Sequence, residues 1–380
     1  MSKVTKNISI LLLFVFASVI IIAKDNTWVD AKLSYKLPKK YQSGRWVTSD
    51  GYCDSLYRSK AGSVLIRTGI ECEKEGLKPG YYSNTQLEWN LTTNRVEVID
   101  VSNWGGGSAG GGKLLTGFEK NEKPSPRHTW DGMAYVPKED AMYFVLGANW
   151  KICLKKEKTT PAAIKQLELD NNSTWKYCFK DKKWTRIDGN IRQFWNKYAF
   201  SPFGCYMEYW PIGNKLMFLN PTAIKYAEFD LKTKKWSKVE LKNKPPFKLY
   251  DARSTWDSKR SLWVFRIGAK LCSFSPKNKS YTALPDCWDE LPAEPKSKKR
   301  NNSLINWKSV VYIPKHDVYL ITGPTGNDTR VYHIKDKKWR SVKGGDIDLV
   351  NGYLEYDSIT DQIALVYHHK AFKFKYVPIK

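Results

Sequence analysis

The sequence predicts an all-β fold, a six-bladed β-propeller of four-stranded antiparallel blades. Six times along the 380 residues, an aromatic residue is followed by a polar turn and then by a short apolar strand. The leading aromatic residues are Tyr57, Tyr135, Tyr209, Trp256, Tyr312 and Tyr356. They are separated by 44 to 78 residues, and a period of about 45 residues lengthened by insertions is typical of propeller blades. An aromatic content of 14% also favours strands, because flat rings pack well on pleated sheets.

A second hairpin follows each of the first five copies. Its first strand reaches a turn rich in Lys, Asp and Asn, and a strand of the type Trp-x-x-aliphatic then leaves it. The clearest versions carry Trp184, Trp236 and Trp339 at the Trp position, and Arg95 and Tyr281 stand there in the looser ones. Apolar residues alternating around polar turns indicate antiparallel hairpins. Two hairpins per copy make a blade of four strands.

The sixth copy ends after three strands, at residues 371–377, before any Trp strand is reached. The missing strand is predicted at the other end of the chain, where residues 25–33 contain Trp28 in the outer-strand pattern. We therefore expect this segment to close the ring as the outer strand of the last blade. Closure of this kind removes unpaired sheet edges.

Residues 1–23 have the layout of a signal peptide, since Lys3 and Lys6 precede an apolar run at residues 8–23. The run is shorter than the roughly 20 residues of a membrane-spanning helix. The alternative is an uncleaved N-terminal membrane anchor, and a membrane is then expected as a partner only through this segment. Residues 24–380 form a single propeller domain in either case. The chain is expected to be secreted, periplasmic or at the cell surface.

The two half-motifs together resemble the kelch-type propeller, which is also seen in the central domain of galactose oxidase. The resemblance covers about residues 25–380. One difference is that the usual double glycine is replaced by single glycines, namely Gly147, Gly268 and Gly323. The resemblance implies the propeller fold. The copper site of galactose oxidase is not expected, because the five histidines do not assemble with tyrosines into a ligand set.

Loop lengths predict two different faces. The tight turns within hairpins share one face and are rich in lysine, so that face carries much of the net charge of +25. Such a field attracts anionic polymers, although lysines on turns also serve to protect strand edges. A specific nucleic acid partner is not predicted. The basic residues that define this face are Lys182, Lys183, Lys234, Lys235, Lys337 and Lys338.

The long insertions are predicted on the opposite face, at residues 104–127, 150–173, 190–203 and 286–306. Functional residues concentrate on loops that a rigid scaffold positions. We therefore expect a secreted or surface-attached, non-catalytic scaffold that binds a glycan or a protein through this face. The alternative is a secreted carbohydrate-active enzyme, oxidase or glycosidase-like, with a site near the propeller axis. The candidate ligand-binding residues are Trp104, Arg127, His128, Trp150, Trp195, Tyr198 and Trp288.

No cofactor, metal ligand set or catalytic residue is predicted. The glycine-rich residues 107–113 have the spacing of a phosphate-binding loop, but Leu114 follows where Ser or Thr would hold magnesium. The seven cysteines of an exported chain suggest disulfides. The local pairs are Cys53–Cys72, Cys153–Cys178 and Cys272–Cys287, and buried free thiols are the alternative for each.

Overall fold

Six sheets, each containing four antiparallel strands, form a six-bladed β-propeller, which confirms the predicted fold class. The structure is a computed structural model of the chain. It describes residues 25–36, 54–67, 70–71, 81–82, 86–100, 123–124, 132–145, 173–187, 191–194, 205–221, 224–250, 252–287, 309–323, 328–345, 347, 352–367 and 370–378.

Within the described residues, the strands follow one another along the chain, and a short 3-10 helix lies at Ile191–Phe194. They are β1 (Val29–Asp30), β2 (Ser34–Lys36), β3 (Asp54–Arg58), β4 (Ser63–Arg67), β5 (Ile70–Glu71), β6 (Tyr81–Tyr82), β7 (Gln86–Asn90), β8 (Arg95–Asp100), β9 (Met133–Val136), β10 (Ala141–Val145), β11 (Thr174–Cys178), β12 (Lys183–Ile187), β13 (Tyr206–Trp210), β14 (Lys215–Asn220), β15 (Lys225–Asp230), β16 (Lys235–Val239), β17 (Arg253–Asp257), β18 (Leu262–Ile267), β19 (Lys270–Ser275), β20 (Ser280–Leu284), β21 (Val310–Ile313), β22 (Val318–Ile321), β23 (Thr329–His333), β24 (Lys338–Val342), β25 (Tyr353–Asp357), β26 (Gln362–Tyr367) and β27 (Lys370–Phe374).

Each blade is a meander in which the first strand lies at the axis and the fourth strand is outermost. Blade 1 contains β3, β4, β7 and β8, blade 2 contains β9 to β12, and blade 3 contains β13 to β16. Blade 4 contains β17 to β20, blade 5 contains β21 to β24, and blade 6 contains β25, β26, β27 and β1. The turns between first and second strands lie beside those between third and fourth strands, and backbone bonds join them, as from Phe179 N to Asp140 O (3.2 Å). We call this side the short-turn face and the opposite side the long-loop face.

The N-terminal strand closes the ring, as predicted. β1 pairs with β27 in antiparallel register, with Val29 opposite Lys373 and Asp30 opposite Phe372. Trp28 is 2% exposed, and its indole N–H donates to Thr329 Oγ1 of blade 5 (2.9 Å). The first and last strands of the chain therefore belong to one sheet.

Blade 1 differs from the predicted four strands because it has a fifth. After closing blade 6, the chain continues as β2 and pairs in parallel with β8, with Ser34 opposite Arg95. This added strand covers an outer edge that would otherwise present unpaired N–H and C=O groups. Blade 4 has its edge covered differently, because the Asn243 side chain donates to Tyr281 O (2.9 Å) and accepts from Tyr281 N (2.7 Å).

The tight turns have a common backbone geometry. The fifth residue after each lead aromatic lies in the left-handed region, with φ between 44° and 58°. Gly, Asn and Asp tolerate this region better than other residues do. The six positions are occupied by Gly62, Asp140, Asn214, Ser261, Asp317 and Asp361.

The hydrophobic core lies between neighbouring blades, in clusters that each draw residues from two or more sheets. The Trp residues of the outer strands join these clusters and also form bonds to the preceding blade. Trp236 donates its indole N–H to Thr174 Oγ1 (2.7 Å), and Trp184 donates to Asp100 Oδ2 (2.7 Å). Thr174 and Thr329 both begin the third strand of their blades, so Trp28 and Trp236 occupy equivalent places.

The predicted Cys272–Cys287 disulfide is not formed, and both residues are buried free thiols. Cys272 packs in the cluster between blades 3 and 4, whereas Cys287 packs between blades 4 and 5. The two side chains therefore lie on opposite sides of the blade 4 sheet. Cys178 is a free thiol as well. Its predicted partner Cys153 lies outside the described residues, as does the pair Cys53–Cys72.

Candidate functional site

An axial channel runs between the first strands of the six blades. It encloses a cavity of about 390 Å³, and every blade contributes residues to its wall. Pockets for small ligands measure roughly 300–1,000 Å³. The channel is therefore large enough for a small molecule or for one end of a longer chain.

The lead aromatic residues form a ring around this channel, which we call the aromatic ring. All six occupy corresponding positions near the end of the first strand, next to the short-turn face. Three of the tyrosines donate a hydrogen bond to the Asp that follows five residues later. These bonds are Tyr135 to Asp140 (2.8 Å), Tyr312 to Asp317 (2.8 Å) and Tyr356 to Asp361 (2.9 Å).

Burial and these carboxylates together raise the pKa of the three tyrosines well above the usual value, so they stay neutral donors. Tyr57 is held in a different way, because its hydroxyl donates to Asp357 Oδ1 of blade 6 (2.5 Å). With their hydroxyls committed to structural bonds, these rings offer a ligand mainly their apolar faces and edges.

Arg253 and Tyr353 meet across the other end of the channel, next to the long-loop face. Arg253 Nη2 donates to the Tyr353 hydroxyl (2.8 Å), and the guanidinium carbon lies 4.3 Å from the centre of the Tyr353 ring. Arg253 belongs to blade 4 and Tyr353 to blade 6, so the pair spans blade 5. A buried cation and an aromatic ring therefore line the channel at its long-loop end.

Two carboxylates line the same cavity. Glu208 and Glu355 each directly precede a lead aromatic, and they belong to blades 3 and 6, which are opposite in the ring. Glu355 Oε1 accepts from the Ser55 hydroxyl (2.9 Å), and Glu208 Oε1 accepts from the Tyr209 backbone N–H (2.8 Å). The middle of the channel is therefore acidic on two sides, with hydroxyl groups beside it.

A belt of polar bonds joins every blade to the next near the short-turn face, and we call it the inter-blade belt. Its pairs are Arg58–Asp140, Lys234–Glu139, Lys279–Glu228, Arg260–Asp317, Lys315–Asp361 and Tyr57–Asp357, in order around the ring.

The basic residues of the belt lower the pKa values of their acidic partners through these contacts. Hydrogen bonds from Arg58 hold the pKa of Asp140 below its usual value, and those from Arg260 do the same for Asp317. Burial opposes ionisation of Glu228, but Lys215 and Lys279 outweigh it and lower the pKa. Several lysines and arginines of the basic turns are thus internal ion-pair partners of the propeller.

The six lysines predicted to define the basic face lie at the ends of the turns between third and fourth strands or at the start of the fourth strands. Five of them are exposed: Lys182, Lys183, Lys235, Lys337 and Lys338. Lys234 is half-buried and belongs to the belt, with its Nζ 3.4 Å from Glu139 Oε1. The exposed lysines are therefore grouped on the rims of blades 2, 3 and 5.

The candidate ligand-binding residues Trp104, Arg127, His128, Trp150, Trp195, Tyr198 and Trp288 lie outside the described residues, so their predicted role stays a prediction. His316 and His333 lie at the short-turn face beside Tyr376, whose hydroxyl is 3.2 Å from His333 Nε2. The described residues contain no group of three or more His, Cys, Asp and Glu residues able to hold a metal ion.

Sequence reasoning missed Glu208, Arg253 and Glu355. A signal was present, because aligning the six copies on their lead aromatics places a Glu directly before the aromatic in copies three and six. The channel position of these residues depends on the ring, which brings together strands that are far apart along the chain.

The chain was compared with known families, curated proteins and solved structures. No family model matches it, and no curated protein matches it. A similar solved structure is a Bacteroides thetaiotaomicron protein of unknown function, with 10% identity and a TM-score of 0.49. The match covers 90% of this chain and 73% of that chain. Among the described residues, no helix has the length and apolar character needed to span a bilayer.

Proposed function

We propose that this chain is a non-catalytic binding scaffold, a kelch-type propeller that is secreted or attached to the cell surface. Its ligand is a glycan that reaches the axial channel from the long-loop face. The kelch-type assignment is supported by the two half-motifs that recur around the ring. A protein ligand on the same face is the other form of this proposal.

The observation that carries the proposal is the composition of the axial channel. Its wall combines the aromatic ring with the carboxylates Glu208 and Glu355, the hydroxyl of Ser55 and the guanidinium of Arg253. Apolar ring surface next to hydrogen-bonding groups suits a sugar, which has apolar faces and a rim of hydroxyls. The cavity of about 390 Å³ favours a sugar unit over a folded partner.

The long-loop face is favoured as the side of approach because of its connections. The turns on the short-turn face are four residues long, whereas three blade-to-blade connections on the other side exceed fifteen residues. The predicted ligand residues, such as Trp195 and Trp288, belong to those long connections. Their predicted role in binding is consistent with a ligand that approaches the channel end lined by Arg253 and Tyr353.

A glycan array probed with the protein tests this function. Specific hits are expected to weaken at least about tenfold in Glu208→Gln and Glu355→Gln, because each loses a charge-assisted bond to a sugar hydroxyl. Trp195→Ala and Trp288→Ala should weaken the same hits if the long loops contribute. Glu240→Gln is the matched control, since that exposed carboxylate directly follows the outer strand β16, away from the channel. If no glycan on the array is bound, the glycan form of the proposal is wrong and a protein ligand is favoured.

The second candidate function is glycoside hydrolysis in the same channel. It is favoured by Glu208 and Glu355, which line one cavity from opposite blades, because paired carboxylates are the usual catalytic groups of glycosidases. If the chain is such an enzyme, either Gln variant should lose about 100-fold or more in turnover of a chromogenic glycoside. If wild-type protein binds glycans but does not hydrolyse the glycoside, the enzyme function is excluded and the binding scaffold remains.

A further inference from the structure

The first described residues enter the propeller on the short-turn face. Asp25 forms a bridge with Lys375, and Asn26 N donates to Lys375 O (2.8 Å). The Asn26 side chain also donates to Val377 O (2.9 Å) and accepts from Val377 N (3.0 Å). Because β27 runs towards the short-turn face, its continuation through Lys375 and Val377 places the incoming chain there.

The sequence immediately before this point is the apolar run at residues 8–23, which Lys24 alone separates from Asp25. Lys3 and Lys6 precede the run. If this segment is retained in a membrane, the linker is too short to move the short-turn face far from the bilayer. The attachment point therefore determines which face of the propeller is turned towards the lipid.

The chemistry of that face suits an anionic bilayer. Exposed lysines occupy the turns of blades 2, 3 and 5, and two isoleucines project from turns of opposite blades. Ile212 is 77% exposed in blade 3, and Ile359 is 61% exposed in blade 6. Exposed apolar side chains among lysines are typical of surfaces that rest on anionic lipid.

Backbone geometry adds an independent observation. Lys182, Lys234, Lys279 and Lys337 all have φ between 51° and 58°, where Asn94 stands in the equivalent turn of blade 1. Asn is more easily accommodated in this region than Lys. Lys234 and Lys279 form belt ion pairs, but Lys182 and Lys337 form none with any described residue. The stability of the propeller therefore does not explain why lysine occupies positions 182 and 337.

We propose that the short-turn face is a membrane-docking surface that lies against an anionic phospholipid bilayer, with residues 8–23 retained as its anchor. The exposed lysines contact lipid headgroups, and Ile212 and Ile359 enter the interface. A soluble anionic polymer would account for the lysines but not for the isoleucines or the attachment point. This role is independent of the glycan-binding function, and it leaves the long-loop face pointing away from the membrane.

The test measures lysine accessibility on the full chain reconstituted in vesicles of phosphatidylcholine, with or without phosphatidylglycerol. Amines are acetylated briefly, and modification is quantified by mass spectrometry at Lys182, Lys235, Lys337 and Lys338. Exposed Lys270, at the long-loop end of β19, is the internal reference. We expect labelling of the four lysines to fall about fivefold relative to Lys270 in anionic vesicles at low salt, and to recover in about 0.5 M salt.

Variants make the test specific. Lys182→Asn combined with Lys337→Asn keeps a residue suited to the left-handed turns, so the fold is retained while protection of Lys235 and Lys338 decreases. Lys32→Asn is the matched control, because exposed Lys32 also lies in the left-handed region (φ 49°) and follows the long-loop end of β1, and it should leave protection unchanged. Equal labelling in both vesicle types would overturn the proposal. So would protection by heparin without protection by anionic vesicles, or membrane-extracted protein whose mass shows that residues 8–23 are missing.

Discussion

At the scale of single residues, the lead tyrosines show how one repeated position acquires different environments. Tyr135, Tyr312 and Tyr356 each donate to an Asp five residues later, and that Asp also occupies the left-handed turn position. In blade 3 the equivalent residue is Asn214, and the buried Tyr209 hydroxyl has no hydrogen-bond partner among the described residues. Replacing the turn Asp by Asn thus leaves a buried tyrosine hydroxyl without a hydrogen-bond acceptor among the described residues.

This difference predicts that Tyr209→Phe and Tyr312→Phe have unequal effects. Tyr312→Phe removes a bond to an ionised acceptor and should lower the free energy of unfolding by about 1–2 kcal/mol. Tyr209→Phe removes an unsatisfied hydroxyl and should change it by less than about 0.5 kcal/mol, or raise it. Urea unfolding followed by fluorescence measures both, and equal losses would contradict the assignment.

Lys373 is the second residue whose environment leads to a prediction. It is 2% exposed on β27, and its ammonium group donates to Leu91 O of blade 1. Burial lowers its pKa to about 8. In the unfolded chain the pKa is about 10.4, so between these values the folded state binds fewer protons than the unfolded state. Stability should therefore rise with pH across this window.

The expected rise is about 2 kcal/mol between pH 8 and pH 10, measured as the free energy of unfolding in urea. Lys373→Met should remove this part of the pH dependence, and exposed Lys338→Met should leave it intact. If wild type and Lys373→Met show the same slope in this window, Lys373 does not titrate as described.

At the scale of elements, the outer-strand Trp residues connect each sheet to its neighbour. Trp236 and Trp28 each bury an indole ring and donate to a Thr that begins the third strand of the preceding blade. Trp28 comes from the N-terminal strand and Trp236 from within the chain. The closing strand is therefore equivalent to the other outer strands in packing and bonding, although it is only two residues long.

This equivalence predicts that Trp28→Ala and Trp236→Ala cost similar free energies of unfolding, about 3–5 kcal/mol each. Each variant loses a buried ring and leaves a Thr hydroxyl without its indole donor. Thermal unfolding monitored by circular dichroism is the measurement. A loss in Trp28→Ala well below that in Trp236→Ala would mean that the N-terminal strand contributes little to ring closure.

At the scale of the whole molecule, the inter-blade belt ties all six blades together near the short-turn face. Its acidic members Glu139, Asp140, Glu228, Asp317 and Asp361 all have pKa values lowered by their basic partners. Each therefore contributes stability that is present above the unfolded pKa of about 4 and is lost as pH falls through the folded pKa. Because these groups act at successive interfaces, their protonation weakens the whole ring.

We expect the free energy of unfolding to be nearly constant from pH 5 to pH 7 and to fall steeply below pH 4. Glu228→Gln should cost about 3 kcal/mol at pH 7, because Lys215 and Lys279 lose a partner that is almost fully buried. It should also flatten the fall below pH 4. Glu97→Gln, at a half-exposed ion pair on β8, is the control. A wild-type protein whose stability is unchanged at pH 2 would contradict this role of the belt.

The fold was predictable from the sequence because each blade repeats a local pattern. The aromatic–turn–strand copies and the Trp strands specify hairpins through alternation and turn chemistry, which act over a few residues. The incomplete sixth copy even identified Trp28 as part of the last blade. The fifth strand of blade 1 was not predictable, because Ser34–Lys36 pairs with a strand sixty residues away and carries no distinctive motif.

What the sequence determined by itself was the number of blades, the closure by Trp28 and the separation of short basic turns from long connections. The tertiary structure decided which residues meet. It placed Glu208 opposite Glu355, joined Arg253 to Tyr353 and kept Cys272 apart from Cys287. The physical reason is that hairpins form from local pairing, whereas the channel, the belt and the faces of each sheet exist only once six separate sheets have packed into a ring.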